Sequence, residues 1–408
     1  MENIKETLKK YNQEHLLTFY NSLNETKKQE LLSEISNINF EDMVNIKNVQ
    51  EVVKSNEHIT PVKAVLKSEL LPNVIMQLEA RGRKIIESGN YGIVTMAGGQ
   101  GTRLGHNGPK GTYSLELFDG RRYIFEIFVD YLKDIYKKYG VYLSWYIMTS
   151  RENNDDTVNF FKSNNYFGYP TNKINFFMQG ELPITDLEGN LLLENEHKLL
   201  KAADGNGGVF NALSKVLEHM KLQGIQWVLI TGIDNILVNL ADEFFIGLVD
   251  SQNKLNGVKS VAKNSAEEKV GVFCKRNGKP GVIEYTEMDE SMRYGKDENG
   301  ELRYIEANIV NHLINIQILE KIQNEKLPIH KAIKKMPYID KEGNMQYPTE
   351  PCLIKYEAFI FDYFTKVDDV TILRVEREKE FAPVKNKEGV DSPETATVLY
   401  NNLHSKEV

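Results

Sequence analysis

The segment YGIVTMAGGQGTRLGHNGPKG, residues 91–111, constrains the fold more than any other part of this sequence. Its first residues are apolar or β-branched with no polar alternation, so residues 93–97 are predicted to form a buried strand. Glycines follow at positions 98, 99, 101 and 105. Their backbone N–H groups can approach a ligand closely because no Cβ is in the way, and N–H groups presented in this manner bind anions. The segment therefore predicts a buried strand that ends in an anion-binding loop.

Two cationic side chains accompany these glycines. Arg103 lies within the loop, and Lys110 follows Pro109. A planar guanidinium and an ammonium together suit a polyphosphate better than a neutral metabolite. The glycine spacing misses the dinucleotide pattern G-x-G-x-x-G by one residue, and no G-x-x-x-x-G-K-[ST] motif occurs there. An ordinary strand-to-loop turn is the alternative interpretation of the glycines, so this loop alone leaves the ligand open.

Length, charge and cysteine content narrow the class of protein. The chain has 408 residues, which predicts two to three domains. Its net charge of -8 gives no general attraction for nucleic acid or for an anionic membrane, so neither is expected as a partner. Cys274 and Cys352 are the only cysteines, and two isolated thiols are typical of a reducing compartment. Because the sequence shows no apolar targeting or membrane-spanning segment, we expect a cytoplasmic protein.

Segments with helical and strand-like patterns alternate through the middle of the sequence. Apolar residues at intervals of three and four predict helices, and short apolar runs bounded by turn residues predict strands. The principal predicted elements are helices at 124–139, 209–222 and 353–364, strands at 174–178 and 227–233, and a hairpin closed by Asn277-Gly278. This alternation predicts a doubly wound, Rossmann-like α/β fold with a mixed sheet, whose ligands bind at the carboxyl ends of the strands.

Three regions are predicted along the chain. Residues 1–88 carry apolar residues at helical spacing, which predicts an N-terminal helical region that braces the rest of the protein. Residues 89–375 carry the alternating elements and are predicted to form the catalytic domain. Residues 376–408 form a short C-terminal segment that contains Lys385. A partner-binding role is the alternative for the N-terminal helices.

Several motifs in a fixed order make the sequence similar to one known family. They are AGGQGTRLG with the following PKG, QGELP at 179–183, DGNGG at 204–208, IDN at 233–235 and EFAPVKN at 380–386. The sequence resembles the UTP-dependent uridylyltransferases known as UDP-sugar pyrophosphorylases, and within them the UDP-N-acetylglucosamine and UDP-N-acetylgalactosamine pyrophosphorylases. The matches extend from Tyr91 to Pro393. Relative to longer members of the family, the sequence is expected to lack most of a carboxy-terminal β-domain, which leaves open whether the protein is a monomer or a homo-oligomer.

The resemblance implies a role for each motif. Nucleotide-binding residues are implied at Ala97, Gly98, Gly99, Gly101, Gln179 and Gly205. Sugar-binding residues are implied at Asn206, Glu284, Tyr285, Asn308, Lys355, Phe359 and Phe361. The catalytic cations are implied to be Arg103, Lys110 and Lys385, and Asp234 is implied to bind Mg²⁺, the expected cofactor.

The chemistry of these side chains fits the implied roles. An amide such as Gln179 can pair with the donor and acceptor edge of uracil. A carboxylate at the carboxyl end of a core strand, such as Asp234, can hold Mg²⁺ together with substrate phosphates. Plainer interpretations are a surface side chain for Gln179, a turn cap for Asp234, and core packing for Phe359 and Phe361. We interpret His312 as a buried imidazole with satisfied hydrogen bonds and no catalytic role.

The implied reaction joins UTP and N-acetylglucosamine 1-phosphate or N-acetylgalactosamine 1-phosphate to give a UDP-sugar and pyrophosphate. A phosphate monoester is mostly dianionic at pH 7, so no protein base is required, and catalysis reduces to alignment and charge neutralisation. Two alternatives stay open. One is an enzyme that uses glucose 1-phosphate or a broader set of sugar 1-phosphates. The other is a UDP-sugar-binding protein without catalytic activity.

Overall fold

A computed structural model describes residues 1–48, 57–323 and 325–405 of the chain. The backbone forms two compact units, and each is assembled from separate stretches of sequence. The smaller unit comprises Met1–Glu57, Gly180–Gly208 and Leu327–Phe359, and the larger unit comprises His58–Gln179, Val209–Lys326 and Ile360–Val408. Among the helices of the described ranges, none is both long enough and apolar enough to cross a membrane.

Helices and strands alternate along much of the larger unit, whereas in the smaller unit the strands follow the helices. The α-helices of the described residues are α1 (Glu2–Lys10), α2 (Glu25–Ser36), α3 (Phe40–Asn48), α4 (Pro72–Glu87), α5 (Ile124–Tyr139), α6 (Asn154–Ser163), α7 (Val209–Leu213), α8 (Leu217–Leu222), α9 (Glu243–Ser251), α10 (Glu290–Tyr294), α11 (Ile316–Ile322), α12 (Arg377–Glu380) and α13 (Pro393–His404). The strands are β1 (Ile59–Pro61), β2 (Val65–Leu66), β3 (Tyr91–Met96), β4 (Ser114–Leu117), β5 (Gly120–Tyr123), β6 (Ser144–Thr149), β7 (Ile174–Met178), β8 (Glu181–Pro183), β9 (Thr185–Asp186), β10 (Leu193–Asn195), β11 (Lys198–Leu199), β12 (Lys201–Ala203), β13 (Trp227–Gly232), β14 (Asn256–Ala262), β15 (Val272–Arg276), β16 (Lys279–Ile283), β17 (Glu306–Asn315), β18 (His330–Lys334), β19 (Tyr338–Ile339), β20 (Met345–Gln346), β21 (Leu353–Glu357) and β22 (Thr371–Val375). A 3-10 helix at Ile360–Lys366 follows β21.

A mixed sheet forms the centre of the larger unit. The strands of its main path lie in the order β2-β22-β14-β17-β13-β3-β6-β7. β3 is parallel to β13 and to β6, and β6 is parallel to β7, whereas β17 is antiparallel to its neighbours β13 and β14. From β3 the chain runs outward through β6 to β7 and later returns to β13 on the other side of β3. The predicted doubly wound fold is confirmed, and its topological switch point lies at the carboxyl ends of β3 and β13, where such sheets bind ligands.

Aromatic side chains cover both faces of this sheet. On one face, the rings of Phe125 and Phe128 on α5 lie 6.2 and 6.0 Å from Trp145 on β6. On the other face, Tyr363 of the 3-10 helix lies 5.3 Å from Phe210 on α7 and 5.8 Å from His312 on β17. Burial on two sides is the reason that the central strands have apolar sequences without alternation.

The smaller unit combines N-terminal helices with small antiparallel sheets. Its strands pair in the orders β11-β10-β19-β20, β18-β21-β9 and β12-β8. Leu8 and Leu31 of the helices share one hydrophobic cluster with Leu193 and Leu199 of the sheet formed by β10 and β11. The three-region organisation stays a prediction, and residues 49–56 of its first region lie outside the described residues.

Two predictions of secondary structure are wrong. Residues 353–364 form strand β21 and then the 3-10 helix, and not one α-helix. β21 is the middle strand between β9 and β18, so hydrogen bonds to distant segments decide the structure of a short apolar run whose periodicity is ambiguous. The helix predicted at 209–222 is interrupted between α7 and α8. The other elements are confirmed: α5 ends at Tyr139 and is capped by Gly140, and Asn277 and Gly278 close the β15–β16 hairpin with φ of 51° and 83°.

Candidate active site at the carboxyl edge of the central sheet

The glycine-rich loop after β3 folds back on itself. The N–H of Gly101 donates to the carbonyl of Gly108 at 2.9 Å, and the N–H of Lys110 donates to the carbonyl of Gly99 at 3.0 Å. Gly105, at the loop's outer turn, has φ of 72°, a left-handed conformation that favours glycine. Because of these bonds, Lys110 returns to the beginning of the loop even though it lies eleven residues beyond Gly99 in sequence.

The two cations of this loop have no partner among the residues that the structure describes. Arg103 is exposed, and Lys110 is half-buried. Within residues 1–48, 57–323 and 325–405, neither side chain makes a salt bridge or a hydrogen bond. Their N–H donors are therefore available to an anionic ligand beside the backbone N–H groups of the loop.

The side chain of Gln179 lies against the first glycine of the loop. Gln179 follows β7, and its backbone N–H donates to the carbonyl of Thr149 at 2.9 Å. A Cβ at Gly98 would lie 2.8 Å from Oε1 of Gln179, which is closer than side chains normally approach. Gly98 therefore allows the amide to sit directly beside the loop, at the strand ends where the doubly wound pattern predicts ligand contacts.

Asn153 holds the beginning of the loop, a role that the sequence interpretation missed. Its side chain is fully buried. Oδ1 accepts the N–H of Ser150 at 2.8 Å, and Nδ2 donates to the carbonyl of Ala97 at 2.9 Å. The available signal was the asparagine pair Asn153-Asn154 in the turn after β6, because asparagine side chains in turns commonly bond to nearby backbone.

Asp234 lies in the turn that follows β13. The N–H of Ile233 donates to the carbonyl of Met96 at 3.1 Å, so this turn is beside the end of β3. Asp234 is half-buried, and its carboxylate has no salt bridge or hydrogen bond within the part of the chain that the structure describes. The same part contains no group of three or more His, Cys, Asp or Glu side chains that could hold a metal ion. One carboxylate without a partner in the described residues, beside a loop with two available cations, fits Mg²⁺, which proteins usually bind through one or two carboxylates plus substrate phosphates.

A segment near the end of the chain, residues 380–385, packs against the Asp234 turn, and we refer to it as the C-terminal strap. The N–H of Val384 donates to the carbonyl of Asp234 at 2.8 Å, and the N–H of Ile236 donates to the carbonyl of Ala382 at 3.2 Å. These bonds place the backbone of the strap's last residues directly beside Asp234.

Lys385 is the final residue of the strap. Its Nζ lies 3.7 Å from the carboxylate of Asp391 and 5.4 Å from the centroid of the Phe381 ring. The side chain is 41% exposed, so the ammonium can exchange this loose ion pair for an incoming phosphate.

A buried cluster of three charged side chains fixes the first residue of the strap. Lys259 on β14 is fully buried, and its Nζ lies 2.7 Å from Asp242 and 2.6 Å from Glu380. Burial alone would lower the pKa of Lys259, but the two carboxylates raise it above its usual value, so the lysine stays charged. Burial raises the pKa of Glu380, and Lys259 offsets this only in part. The sequence interpretation missed this cluster because its three members are far apart along the chain.

Glu284 and Asn308 are brought together around Gly271. The N–H of Asn308 donates to the carbonyl of Gly271 at 2.9 Å, and a Cβ at Gly271 would lie 2.8 Å from Oε1 of Glu284. Tyr285 comes next in the chain and is exposed. Phe361 belongs to the 3-10 helix that packs against β16, the strand that leads to Glu284. Four of the predicted sugar-binding residues therefore lie on adjacent elements of the larger unit.

His312 lies on β17, four residues beyond Asn308, and its environment differs from the prediction. The side chain is fully buried, and neither ring nitrogen has a hydrogen-bond partner within the described ranges. The expectation of a hydrogen-bonded imidazole is therefore wrong. Its neighbours are the rings of Tyr363 and Phe364, at 5.8 and 6.0 Å. Burial lowers the pKa of His312 to about 3.

We expect His312 to make the protein's stability depend on pH. In the unfolded chain a histidine has a pKa near 6.5, so below that pH the unfolded state binds a proton that the folded state does not. The free energy of unfolding should fall, because of this residue, by about 1.4 kcal/mol per pH unit between roughly pH 6 and pH 4. Urea unfolding of the wild type and of His312→Phe over this range measures the difference in slope. The exposed His58, changed to Gln, is the control, and equal slopes for His312→Phe and the wild type would contradict the expectation.

In the smaller unit, the DGNGG loop packs against the residues after β21. The N–H of Gly207 donates to the carbonyl of Ala358 at 2.9 Å, and a Cβ at Gly207 would lie 2.5 Å from the carbonyl oxygen of Phe359. Gly205 has φ of 88°, and a Cβ there would overlap the backbone of Ala358. Glycine is therefore required at both positions. The close packing of this loop on the residues after β21 places Asn206 and Phe359 on adjoining segments.

The context of Lys355 and Phe359 differs from the prediction, because neither lies on a helix. Lys355 lies within β21, and its Nζ is 2.7 Å from the carboxylate of Glu357. Phe359 precedes the 3-10 helix, and its ring lies 4.5 Å from the ring of His330.

The predicted residues are divided between the two units. The larger unit contains Ala97, Gly98, Gly99, Gly101, Arg103, Lys110, Gln179, Asp234, Glu284, Tyr285, Asn308, Phe361 and Lys385. The smaller unit contains Gly205, Asn206, Lys355 and Phe359.

Comparison with known proteins identifies the family. A family model described as UTP--glucose-1-phosphate uridylyltransferase matches residues 19–390. The chain belongs to this uridylyltransferase family. It is therefore a nucleotidyltransferase enzyme, as the motifs predicted.

Relatives of this uridylyltransferase match along nearly its whole length. It is 35% identical to the UDP-N-acetylglucosamine pyrophosphorylase of Saccharomyces cerevisiae, over 99% of this chain and 90% of that protein. It is 34% identical to UDP-N-acetylglucosamine diphosphorylase 2 of Arabidopsis thaliana, over 98% of this chain and 83% of that protein. The crystal structure of the uridine diphosphate N-acetylglucosamine pyrophosphorylase of Trypanosoma brucei, in complex with inhibitor, matches with a TM-score of 0.85 and 30% identity, over 98% of this chain and 84% of that chain.

Proposed function

We propose that this uridylyltransferase joins UTP and N-acetylglucosamine 1-phosphate, or N-acetylgalactosamine 1-phosphate, to form a UDP-N-acetylhexosamine and pyrophosphate. The names of the relatives that match nearly the whole chain support this choice of substrate. One observation carries the proposal: three charged groups without partners in the described residues lie at one switch point. They are the cations of Arg103 and Lys110 after β3 and the carboxylate of Asp234 after β13. Cations for a polyphosphate and a carboxylate for a divalent ion are the groups that nucleotidyl transfer needs.

The nucleotide would bind along the glycine-rich loop. The backbone N–H groups of Gly98 and Gly99 would contact phosphate oxygens, and Gln179 would pair with uracil. Ala97 and Gly101, whose N–H groups bond to Met148 and Gly108, would line the same site. Because Gln179 packs on Gly98, the base contact and the first phosphate contacts would be neighbours. Cytosine presents a donor where uracil presents an acceptor, so mismatched buried groups would disfavour it. The resemblance adds Gly205 to this set.

Catalysis would rest on alignment and charge, because the attacking phosphate is already a dianion at neutral pH. Arg103 and Lys110 would stabilise charge on the leaving pyrophosphate, and Lys385 would guide the attacking oxygen in line with the α-phosphorus. The strap supports this role for Lys385, since it holds the adjacent backbone against the Asp234 turn.

Asp234 is the residue that would hold Mg²⁺, with substrate phosphates as the other ligands. When bound, the ion neutralises phosphate charge that builds up during transfer. The half-buried carboxylate, which has no partner in the described ranges, supports this assignment by its place at the switch point.

The sugar would be recognised by polar groups for its hydroxyls and by aromatic rings for its apolar face or its acetyl methyl. The proposed residues are Asn206, Glu284, Tyr285, Asn308, Lys355, Phe359 and Phe361. The adjacency of Glu284 and Asn308 supports their assignment. Lys355 is paired with Glu357, so a contact with the sugar phosphate would require it to exchange partners. A cytoplasmic location is part of the same proposal.

Turnover of a panel of sugar 1-phosphates with UTP and Mg²⁺ tests the proposed substrate. We expect kcat/KM for an N-acetylhexosamine 1-phosphate to exceed that for glucose 1-phosphate by about 10- to 200-fold, the range that one apolar group in a pocket supplies. Much better turnover of glucose 1-phosphate would favour the glucose alternative. Binding of UDP-sugars with no release of pyrophosphate would favour the non-catalytic alternative.

A further inference from the structure

Asn235, the residue after the proposed metal ligand, holds the C-terminal strap through its side chain. Its Nδ2 donates to the carbonyl of Glu380 at 2.7 Å, and its Oδ1 accepts the N–H of Ala382 at 2.9 Å. Asn235 is 3% exposed. The carbonyl of Glu380 and the N–H of Ala382 therefore depend on this amide, because little water is available there to replace its hydrogen bonds.

The strap is also held at its two ends. At its beginning, the carboxylate of Glu380 is paired with the buried ammonium of Lys259 at 2.6 Å. Near its end, the N–H of Val384 bonds to the carbonyl of Asp234. Ala382 and Val384 are fully buried between these points. Lys385 is thus attached directly to a rigid segment, and its backbone has little freedom to move relative to the Asp234 turn.

We propose that Asn235 is a positioning residue, which sets the location of Lys385 relative to Asp234 by clamping the strap onto the turn after β13. The inference rests on the proposed function, because it takes Lys385 and Asp234 as the groups that act on substrate. Asn235 touches neither reactant in this arrangement. Its effect comes from geometry, and a displacement of about 1 Å at a reacting centre can lower the rate by roughly 10²-fold.

A double-mutant cycle tests this coupling. Asn235→Ala, Lys385→Ala and the double variant are compared by kcat and by KM for each substrate. We expect Asn235→Ala to lower kcat/KM for the sugar 1-phosphate by about 10- to 100-fold. The KM for UTP should change little. The double variant should be no slower than Lys385→Ala alone, because the loss of the clamp acts through the lysine.

Asn239→Ala is the matched control. Asn239 lies in the same stretch and accepts the N–H of Ala241 at 3.2 Å, but it is exposed and has no bond to the strap. Amide hydrogen exchange gives a readout that does not depend on activity. The N–H groups of Ala382 and Val384 should exchange faster in Asn235→Ala and at the wild-type rate in Asn239→Ala.

Asn235→Asp covers the case in which the alanine variant does not fold. Aspartate has nearly the same volume as asparagine and keeps the oxygen that accepts the N–H of Ala382. Its second oxygen replaces the amide nitrogen and cannot donate to the carbonyl of Glu380, so the first part of the strap should be released. Wild-type kcat/KM for the sugar 1-phosphate in Asn235→Asp, or effects of Asn235 and Lys385 that multiply in full, would overturn the positioning role and leave the proposed function intact. Full activity of Lys385→Ala would instead overturn the proposed role of Lys385 and the inference with it.

Discussion

Replacing Lys110 with alanine is expected to lower kcat for uridylyl transfer by about 10²- to 10³-fold, the loss seen when one preorganised donor to a developing charge is removed. The N–H of Lys110 donates to the carbonyl of Gly99, so Lys110 lies beside the part of the loop where we propose that phosphate binds. Its ammonium makes no bond within the described residues, so its removal leaves no unpaired carboxylate behind and the fold should survive. Release of pyrophosphate at saturating substrate measures the effect.

Arg103→Ala should have an effect of the same order, because its guanidinium is equally unpaired. The control is Arg121→Ala, which removes an exposed arginine on β5 whose Nε donates to the hydroxyl of Ser114 at 2.8 Å and lies 3.8 Å from Glu116. That variant should keep wild-type kcat. Near full activity in both Arg103→Ala and Lys110→Ala would show that the loop does not stabilise the leaving group.

Changing Asp234 to asparagine should lower kcat by about 10²- to 10³-fold, because several kcal/mol of charge stabilisation depend on a correctly held divalent ion. The amide keeps one oxygen in nearly the same place, so higher Mg²⁺ concentrations should restore part of the rate in Asp234→Asn and less in Asp234→Ala. Binding of Mn²⁺ to the enzyme with UTP, followed by electron paramagnetic resonance, measures metal affinity without turnover.

Asp369→Asn is the control for the metal site. Asp369 is exposed and pairs with Lys254 at 2.6 Å, outside the switch point. Its substitution should leave both Mn²⁺ binding and kcat unchanged. Wild-type metal affinity in Asp234→Ala would mean that the ion is held elsewhere.

The parts of this fold that local sequence determines were predictable. The central strands are buried on both faces, so their apolar runs stand out, and the predicted strands at 174–178 and 227–233 agree with β7 and β13. The order of these strands along the chain then predicted that their carboxyl ends would lie at the same edge of the sheet. The close approach of Gln179 to Gly98 and of the Asp234 turn to the end of β3 follows from that order and from the doubly wound rule.

The parts that depend on distant segments could not be predicted. Strand β21 has an ambiguous periodicity, and its pairing with β9 and β18 is what makes it a strand. Lys259 would be expected on the surface, since lysine is almost never fully buried without partners. Its partners Asp242 and Glu380 come from other segments, and no pattern near residue 259 indicates them. Asn235 bonds to residues about 150 positions away, at 380 and 382.

The place of the strap near the end of the chain has a consequence for the order in which the enzyme becomes competent during its synthesis. The glycine-rich loop and the row β3, β6 and β7 are complete by residue 178. Strand β22, which lies between β14 and β2, and the strap that carries Lys385 are made roughly two hundred residues later. A growing chain can therefore contain the glycine-rich loop well before it contains Lys385, the residue that we propose aligns the sugar phosphate. The arrangement of Asp234 and Lys385 cannot exist on the ribosome until residue 385 has been translated.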